Sequence, residues 1–361
     1  MERNPYLLLA FFVEEGKVLA KVRVFPTGKV PPDVLKEIVF NKLGAENPSI
    51  LLGPSVGEDA AVIRIGSKAL VITTDPITGA TGNIGWLAIH VNANDIATRG
   101  VRPAYFFCTI LLPEGADPEV LRSIMTEMDE AARSLGVAIV GGHSETTPGL
   151  NRPLIAGFML GEASLDGYVT TSGAQEGDLI VLTKGAGIEG TAILAYDLRE
   201  ELRRQVRTQV LDQAVELFKS ISVVKEAMIA MSIGGVHSMH DPTEGGVLNG
   251  IWEMAEAAGK GVKILPEKIP VRPETKEVCD FFGIDPLSTL GSGALLLAIG
   301  RDKVDLVVRA LHESGIDASV IGEVTCLEQG RVLLRPDGRH DRLEPPGQDH
   351  VYKVLSRYSP V

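Results

Sequence analysis

The segment SVGEDAA at residues 55–61 is followed, one short apolar run later, by TTDP at residues 73–76. Gly57 precedes an acidic pair that includes Asp59, and Asp75 closes the second apolar run. Carboxylates at strand ends beside a flexible glycine commonly present ligands to a hard cation and let a phosphate approach. An isolated Gly-Glu-Asp segment is also typical of an ordinary turn. The interpretation as a binding site therefore depends on acidic positions further along the chain.

Composition narrows the class of protein. The chain has 361 residues, which is enough for two domains with substantial cores. Apolar residues make up 45% and charged residues 23%, as in an ordinary globular protein. The net charge of −12 argues against a nucleic-acid or anionic-membrane partner. Glycine loops, helix N-termini and a bound cation can still bind an anion locally.

The cysteines indicate a reducing compartment. Cys108, Cys279 and Cys326 are widely separated and form no CxxC pair. We therefore predict neither a disulfide framework nor a thiolate metal site, and we expect a cytoplasmic protein. The longest early apolar run, residues 7–13, is far shorter than the ~20 residues that span a bilayer, so no membrane partner is expected.

Strands and helices alternate in two halves, which predicts an α/β or α+β fold whose glycine and acidic loops face a common cleft. Helical patterning in the second half is predicted to continue to about residue 231 with at most a short break. The predicted segments are an N-terminal extension with a hairpin at 1–30, a first domain at 31–168, a second domain at 169–345 and a tail, expected to end in poor order, at 346–361.

Polar residues interrupt the apolar segments of the first half of the chain. Asn92, Asp95 and Arg99 fall at i, i+3 and i+7 of a predicted helix, so they share one face. That stripe is typical of either a lined site or a solvated helix face. Gly142 belongs to a glycine pair expected at the end of a strand over residues 137–140, an arrangement that often brings backbone near a ligand.

Two kinds of loop stand out in the second half. Asp241 comes just before a helix predicted over residues 247–258, so it could cap that helix or bind a ligand. The first glycine loop formally matches the dinucleotide G-x-G-x-x-G motif, but the helical pattern after it leaves no second strand for that fold. The glycines of these loops are Gly185, Gly187, Gly190, Gly291 and Gly293.

Taken in order, these motifs resemble the aminoimidazole ribonucleotide (AIR) synthetase superfamily, also called PurM-like. It includes thiamine monophosphate kinase, selenophosphate synthetase and the hydrogenase-maturation protein HypE, and the spacing here most resembles HypE. The matching motifs, within about residues 30–345, are GEDAAV at 57–62, TTDP at 73–76, HVNANDIATRGVRP at 90–103, VGGHSE at 140–145, KGAGIEGTAIL at 184–194, DPTEGGV at 241–247, IPV at 269–271 and DPLSTLGSGALLLA at 285–298.

The resemblance implies a two-domain fold. Its N-terminal domain would contribute strands to a β-barrel shared across a homodimer, and its C-terminal α/β domain would enclose an ATP cleft. It also implies that Asn92 and Arg99 orient acidic ligands, while Gly57, Gly142 and the later glycine loops approach the phosphates. The acidic residues that would hold Mg²⁺ and ATP phosphates are Asp59, Asp75, Asp95 and Asp241.

Two departures from the family pattern bear on function. HypE proteins end in a Pro-Arg-x-Cys tail whose cysteine carries the carbamoyl group, whereas this sequence ends in Tyr-Ser-Pro-Val. We therefore expect a HypE-like paralogue that does not dehydrate a group on its own C-terminus. His143 stands where several relatives have an acidic residue, and Glu145 is the candidate to replace that metal contact.

The expected function is an ATP- and Mg²⁺-dependent transfer of the γ-phosphate to an oxygen of an amide, a carbonyl or a phosphate ester. The partners would be a second copy of the chain and an unidentified small-molecule or protein acceptor. Two alternatives remain at this point. One is a nucleotide-binding maturation partner in hydrogenase assembly that does not turn over, and the other is a thiamine monophosphate kinase.

Overall fold

The structure is a computed structural model that describes residue 25, residues 27–345 and residues 347–358. The hairpin predicted near the N-terminus lies outside the described residues apart from Phe25, so it stays a prediction. Among the described residues, no helix combines the length and the apolar character needed to cross a membrane.

The first half of the chain forms a sheet in the order β1-β2-β3-β6-β4-β5. Its pairs are antiparallel except β4 with β5. The strands are β1 (Ile50–Leu52), β2 (Ala61–Ile65), β3 (Lys68–Ile77), β4 (Tyr105–Pro113), β5 (Ala138–Thr147) and β6 (Leu154–Ser164). The helices are α1 (Pro32–Val34), continued by a π-helical turn at Leu35–Val39, α2 (Ile84–Thr98) and α3 (Pro118–Leu135).

The second half forms a sheet in the order β13-β12-β9-β11-β7-β10-β8. Its strands are β7 (Leu179–Thr183), β8 (Val236–His240), β9 (Gly261–Ile264), β10 (Leu296–Ile299), β11 (Ala318–Thr325), β12 (Arg331–Leu334) and β13 (His340–Arg342). Its helices are α4 (Ile188–Asp197), α5 (Arg199–Leu202), α6 (Thr208–Glu216), α7 (Val224–Ile233), α8 (Gly246–Ala258), α9 (Pro273–Phe282), α10 (Val304–Glu313) and α11 (His350–Tyr358). Single 3-10 turns occur at Thr171–Gly173, Leu217–Ser220, Pro266–Lys268, Pro286–Ser288 and Leu327–Gln329.

The first sheet is covered on one face. Along β4, Phe106 and Ile110 are buried in the core beneath α2 and α3, whereas Phe107 and Leu111 on the opposite face are only half-buried. Phe107 stacks on Phe158 of β6 across that second face, with ring centroids 5.1 Å apart. This half-buried apolar surface is called the uncovered face below.

The second sheet is covered on both faces. In β7 and β10, Val181 and Leu297 belong to the larger core, while Ile180, Leu182 and Leu296 belong to a separate core that includes α8. Strands buried on both faces read as continuous apolar runs rather than as alternating patterns. The two sheets with their helices confirm the predicted α/β (α+β) fold class. The described residues of this single chain form no closed barrel, so the shared barrel remains a prediction.

Two predicted segments were wrong in detail. The long helical region after residue 191 is divided into α4 to α7, and the backbone leaves helical geometry at Leu198, Arg207 and Val223. Leu198 and Val223 are buried, so these breaks let the chain turn and keep its apolar side chains in the core. The tail contains α11, whose Val351 and Val354 are buried, and its end, expected to be poorly ordered, lies outside the described residues.

The strand expected to stop before the glycine pair also continues. β5 runs through Gly142 to Thr147 and pairs with β4 along that length. A Cβ added at Gly142 would lie 2.3 Å from the carbonyl oxygen of Cys108, so glycine permits this close pairing. The pair is therefore an internal feature of an edge strand and does not form a loop.

Candidate active site

Residues from both halves surround two adjoining cavities. The first has a volume of about 440 Å³ and the second about 390 Å³. Drug-sized ligands typically occupy pockets of ~300–1,000 Å³, so each could hold a small molecule. The residues that line both cavities, and so form the wall between them, are Thr27, Gly28, Lys29, Asp75, Thr243 and Glu244.

Five aspartates line the first cavity, and we call four of them the acidic cluster: Asp59, Asp75, Asp95 and Asp241. The fifth, Asp349, accepts hydrogen bonds from the amides of Gly245 and Val351. Asp59 precedes β2, Asp75 lies in β3, Asp95 lies in α2 and Asp241 directly follows β8. Burial, followed by repulsion from Asp75, Asp241 and Asp59, raises the pKa of Asp95 well above its usual range. The four predicted aspartates therefore lie in one cavity, although they are up to 182 positions apart in the sequence. Their like charges are brought close together there.

Helix α2 explains how carboxyl and amide groups reach the interior. Almost every residue of α2 is buried, so its polar side chains must find partners inside the protein. Asn92 accepts a hydrogen bond from the Asp75 amide at 2.8 Å and donates to the Ala88 carbonyl at 2.9 Å. Asp95 accepts a hydrogen bond from the Thr73 hydroxyl at 2.6 Å. Asn92 thus fixes the backbone at Asp75 and does not itself line either cavity.

Asp241 has an unusual environment. Both of its carboxylate oxygens are buried and have no hydrogen-bond partner among the described residues. Burial and then repulsion from Asp59 raise the pKa of Asp241 to about 7. Helix α8 begins at Gly246 with Gly245 as its N-cap and no capping side chain, so Asp241 does not cap it. A buried carboxylate without a partner is costly, and a bound cation would relieve that cost.

The chemistry of the cluster fits a hard divalent cation. Asp75, Asp95 and Asp241 offer only carboxylate oxygens, which are the ligands that Mg²⁺ prefers. Burial and then repulsion from Asp59, opposed by Lys29, raise the pKa of Asp75 to about 6, so it carries a negative charge at neutral pH. Mg²⁺ usually binds through a few carboxylates together with substrate phosphates.

His240 lies beside the cluster but is not available as a metal ligand. Its Nδ1 is 2.8 Å from Asp59 Oδ1 and its Nε2 is 3.0 Å from Glu253 Oε2. Burial lowers the pKa of His240, but attraction to Asp59 and Glu253 outweighs it and raises the pKa to about 10. His240 is therefore an imidazolium that balances Asp59. Among the described residues, ligand atoms of Asp59, His240 and Asp241 lie within 4.8 Å of one another, so a cation beside Asp241 would lie close to this ion pair.

Arg99 joins the two halves behind the cluster. It is fully buried and forms an ion pair with Glu58, while its Nη2 lies 3.2 Å from Asp59 Oδ2. Nη2 also donates to the Thr171 hydroxyl at 2.6 Å and to the Met239 carbonyl at 3.1 Å. The Glu58 carboxylate accepts hydrogen bonds from the amides of Thr171 and the next residue, each at 3.0 Å. Arg99 thus positions Asp59 and does not line either cavity.

The predicted glycines have different roles. Gly57 lines the first cavity, and a Cβ there would lie 2.7 Å from the Glu253 carbonyl, so glycine permits the close approach of α8. The glycines of the later loops do not line either cavity and instead allow tight packing: a Cβ at Gly190 would lie 2.5 Å from Thr289, and one at Gly291 would lie 2.5 Å from Pro242. The glycines without a cavity surface are Gly142, Gly185, Gly187, Gly190, Gly291 and Gly293.

Glu145 does not join the acidic cluster. It is exposed on β5, where its carboxylate lies 3.0 Å from His143 Nε2 and accepts a hydrogen bond from Thr147 at 3.0 Å. Neither His143 nor Glu145 lines either cavity. Within this chain, the structure therefore does not bring the proposed replacement contact to the site.

The second cavity contains groups that sequence reasoning missed. Glu189 is buried there, and its pKa is raised by burial to about 8 although Ser292 opposes the shift, so the carboxyl is mostly neutral at pH 7. The Ser292 hydroxyl lies beside the Glu189 carboxyl and has no other hydrogen-bond partner among the described residues. Tyr352 donates to Glu244 Oε1 at 3.0 Å, and Arg152 contributes a cation to the lining. Glu189 and Ser292 each sit inside a predicted glycine loop, which is the one signal that could have indicated them.

A short segment near the N-terminus crosses the wall between the cavities. We call residues 27–32 the strap. Lys29 in the strap donates from its backbone amide to Glu244 Oε2 at 2.5 Å and from its ammonium to the Thr243 hydroxyl at 2.9 Å. Gln348 donates to the Thr27 carbonyl at 3.2 Å. The strap is thereby attached both to the loop after Asp241 and to the segment before α11.

Comparisons with known proteins agree with this architecture. Family models for AIR synthase related proteins match the chain twice, with the N-terminal domain at residues 57–163 and the C-terminal domain at residues 175–334. Carbamoyl dehydratase HypE of Escherichia coli is 33% identical over 257 residues, which cover 69% of this chain and 73% of that protein.

Solved structures show the same fold. A chain of a crystallised HypE–HypF complex is 27% identical, has a TM-score of 0.72 and covers 86% of this chain and 99% of its own length. A crystal structure of the hydrogenase maturation protein HypE in complex with ATP is 25% identical, has a TM-score of 0.69 and covers 90% of this chain and 97% of its own. The chain therefore belongs to the AIR synthase related (PurM-like) superfamily and, within it, to the HypE family.

Proposed function

We propose that this protein is a Mg²⁺-dependent enzyme that transfers the terminal phosphate of ATP to an oxygen of a small acceptor. The observation that carries the proposal is the buried carboxylate of Asp241, which has no partner among the described residues and lies in a cluster with three other aspartates. The ATP complex of a HypE relative supports the choice of nucleotide.

The first cavity suits a nucleotide. Its lining has an apolar part that would receive a base, formed by Val30, Pro31, Leu35 and Val56, and an acidic part at the cluster. Carboxylates of the acidic cluster, Asp241 first among them, would hold Mg²⁺, which would neutralise phosphate charge and align the terminal phosphate for transfer. Ser55 and Gly57 line the same cavity and would offer backbone at the phosphates. His240 would remain an imidazolium that holds Asp59 in place.

The second cavity suits the acceptor because it shares a wall with the first. The mostly neutral Glu189 carboxyl and the Ser292 hydroxyl can both donate hydrogen bonds, which fits a carbonyl or amide oxygen. Asp75, Glu244 and Glu189 line this cavity against two cations, Lys29 and Arg152. Because Glu189 is mostly neutral, the carboxylates of Asp75 and Glu244 only balance these two cations, and no excess positive charge remains for a phosphate ester. The lining therefore favours a neutral acceptor and disfavours the thiamine monophosphate kinase alternative.

Calorimetry tests the nucleotide site. Titration of the wild type with a non-hydrolysable ATP analogue in the presence of Mg²⁺ is expected to show binding that Asp59→Ala plus Asp75→Ala weakens by at least ~100-fold, or ~2.7 kcal/mol. The matched control is Asp129→Ala, which removes an exposed carboxylate that pairs with Arg133 on α3 at 2.7 Å. No binding by the wild type, or unchanged binding by the double variant, would refute the proposal.

We also propose that the protein is a homodimer that buries the uncovered face. Apolar side chains on β4 and β6, including Phe107 and Phe158, remain half-buried there, and β5 is the sheet edge beside them. An extended apolar face on a sheet with a free edge is typical of an interaction surface. A second copy is the occupant that the family resemblance implies.

Sedimentation tests the dimer. The wild type at micromolar concentration is expected to sediment with twice the chain mass, and Phe107→Asp is expected to sediment as a monomer because it buries a charge in the interface. Met125→Asp is the matched control, since Met125 is exposed on α3 away from that face. Circular dichroism should show that both variants remain folded. A wild type that sediments only as a monomer would exclude this interface.

A further inference from the structure

Lys29 occupies a position that any transferred group must pass. The wall between the two cavities is formed by a few side chains, and among the described residues Lys29 is the one lysine or arginine that lines both cavities. If nucleotide binds in the first cavity and acceptor in the second, the phosphoryl group crosses this wall. A cation is therefore present where negative charge would pass.

The strap that carries Lys29 is held in a defined path. Its backbone amide binds Glu244, and Glu244 is fixed on its other oxygen by the Tyr352 hydroxyl at 3.0 Å. Gly28 has a φ of +118°, which favours glycine, and a Cβ there would lie 2.7 Å from Glu244 Oε2. The strap thus passes closely over Glu244, and this contact points Lys29 toward the junction of the cavities.

The ammonium group of Lys29 is attracted to the carboxylates of the site, but these do not use up its hydrogen bonds. Desolvation lowers the pKa of Lys29, but the carboxylates of Glu253 and Asp75, followed by those of Asp59 and Glu244, outweigh it and raise the pKa, so the side chain is charged. Its ammonium has one side-chain hydrogen bond among the described residues, to the neutral Thr243 hydroxyl. An ammonium carries three N–H groups, so two remain for a ligand. Lys29 as a residue is still exposed to solvent.

We propose that Lys29 is a catalytic residue whose ammonium contacts the phosphoryl group while it moves from the nucleotide to the acceptor. This inference rests on the proposed function. In the step, the acceptor oxygen forms a bond to the terminal phosphorus while the bond from that phosphorus to the bridging oxygen of ADP breaks. The electron pair of the broken bond stays on ADP, and an amide acceptor releases its proton to solvent. Lys29 keeps its own proton throughout and stabilises the charge on the phosphoryl oxygens.

A transition-state mimic separates this role from simple nucleotide binding. ADP with aluminium fluoride and Mg²⁺ imitates the phosphoryl group in transit, whereas ADP with Mg²⁺ lacks that group. In calorimetry on the full chain, Lys29→Ala is expected to weaken binding of the aluminium fluoride complex by ~100-fold or more and binding of ADP by less than ~5-fold, as for a group that acts on the transferring phosphate. Lys36→Ala is the matched control, because Lys36 is an exposed lysine nearby that binds Glu256 at 2.9 Å.

Each result has a distinct meaning. Equal weakening of both ligands would overturn the inference, since the strap would then only help to close the cleft. Unchanged binding of the aluminium fluoride complex, or a wild type that binds it no more tightly than ADP, would also overturn it while leaving the nucleotide site intact. A wild type that does not bind ADP with Mg²⁺ would refute the proposed function itself. Added methylammonium should restore part of the lost affinity of Lys29→Ala, and failure to do so would count against a contact through the ammonium.

Discussion

Asp241→Asn is expected to raise the stability of the ligand-free protein and at the same time to abolish its stabilisation by Mg²⁺ with nucleotide. In the ligand-free state the substitution removes a buried negative charge from among three other aspartates. The new amide can donate to those carboxylates. We expect a gain of about 1–3 kcal/mol, as is common when a functional site trades stability for activity. This corresponds to a rise in Tm of roughly 1–4 °C for a chain of this size.

The same variant should lose its response to ligand. Mg²⁺ with an ATP analogue at 100 times its Kd would stabilise the wild type by about 2.7 kcal/mol. Without the Asp241 carboxylate the cation loses a ligand, so the variant should show little or no shift at the same concentrations. Thermal unfolding with and without Mg²⁺ and the analogue measures both effects. A variant that is less stable than the wild type without ligand would contradict this interpretation of the acidic cluster.

The dependence of stability on pH provides an independent control. The pKa of Asp241 is raised to about 7 and that of Asp75 to about 6, so each binds its proton more tightly in the folded protein than in the unfolded chain. Their contribution to stability is complete below about pH 4, the ordinary range of an aspartate, and is lost as the pH rises through the folded values. The ligand-free wild type should therefore lose stability between about pH 4 and 8, and Asp241→Asn should lose less.

Arg99→Met is expected to destabilise the protein by about 3–5 kcal/mol, because removing one partner of a buried ion pair leaves the other as an uncompensated charge. The side chain of Arg99 is 0% exposed and that of Glu58 is 2% exposed, so water cannot replace the lost interaction. The substitution also removes the hydrogen bonds to Thr171 and Met239, which lie in the second half of the chain. Urea unfolding at pH 7 measures the loss.

A second variant separates charge from packing. Adding Glu58→Gln to Arg99→Met removes the buried negative charge and should restore part of the lost stability. The matched control is Arg122→Ala, which breaks an exposed pair with Glu119 whose side chains are 72% and 69% exposed, and it should change stability by less than about 0.5 kcal/mol. A loss of under about 1 kcal/mol in Arg99→Met would show that the network does not hold the halves together.

Much of the fold could be predicted because local patterns and tertiary structure agree. The amphipathic helix α3 begins after Asp117 as its N-cap and ends at Gly136 as its C-cap, residue types that favour those two positions. The positions of the acidic cluster could also be anticipated, since Asp59 and Asp75 flank apolar runs, Asp95 lies on the helix face that the spacing indicated and Asp241 precedes a predicted helix. The position of a residue in a sequence motif therefore indicates where its side chain lies when the surrounding helices and strands pack as their patterns predict.

The parts of the site that could not be predicted depend on contacts between residues far apart in the sequence. His240 acquires its charge only because Asp59 and Glu253 approach it from two different elements. Glu189 and Ser292 stand out only after the glycines beside them are seen to pack against protein rather than ligand. The alternatives for Asp241 also required coordinates, because capping and ligand binding place the same residue type before a helix. Sequence spacing cannot distinguish such roles.

The connection through Arg99 and Glu58 has a consequence for how the protein moves. A buried ion pair and several hydrogen bonds join the two halves behind the cleft. Separating the halves would break these interactions, so a large hinge motion is disfavoured. The strap, in contrast, is exposed and is attached by a few hydrogen bonds. Opening of the cleft would then be a local event at its rim, with amide exchange fast in residues 27–30 and slow around Thr171.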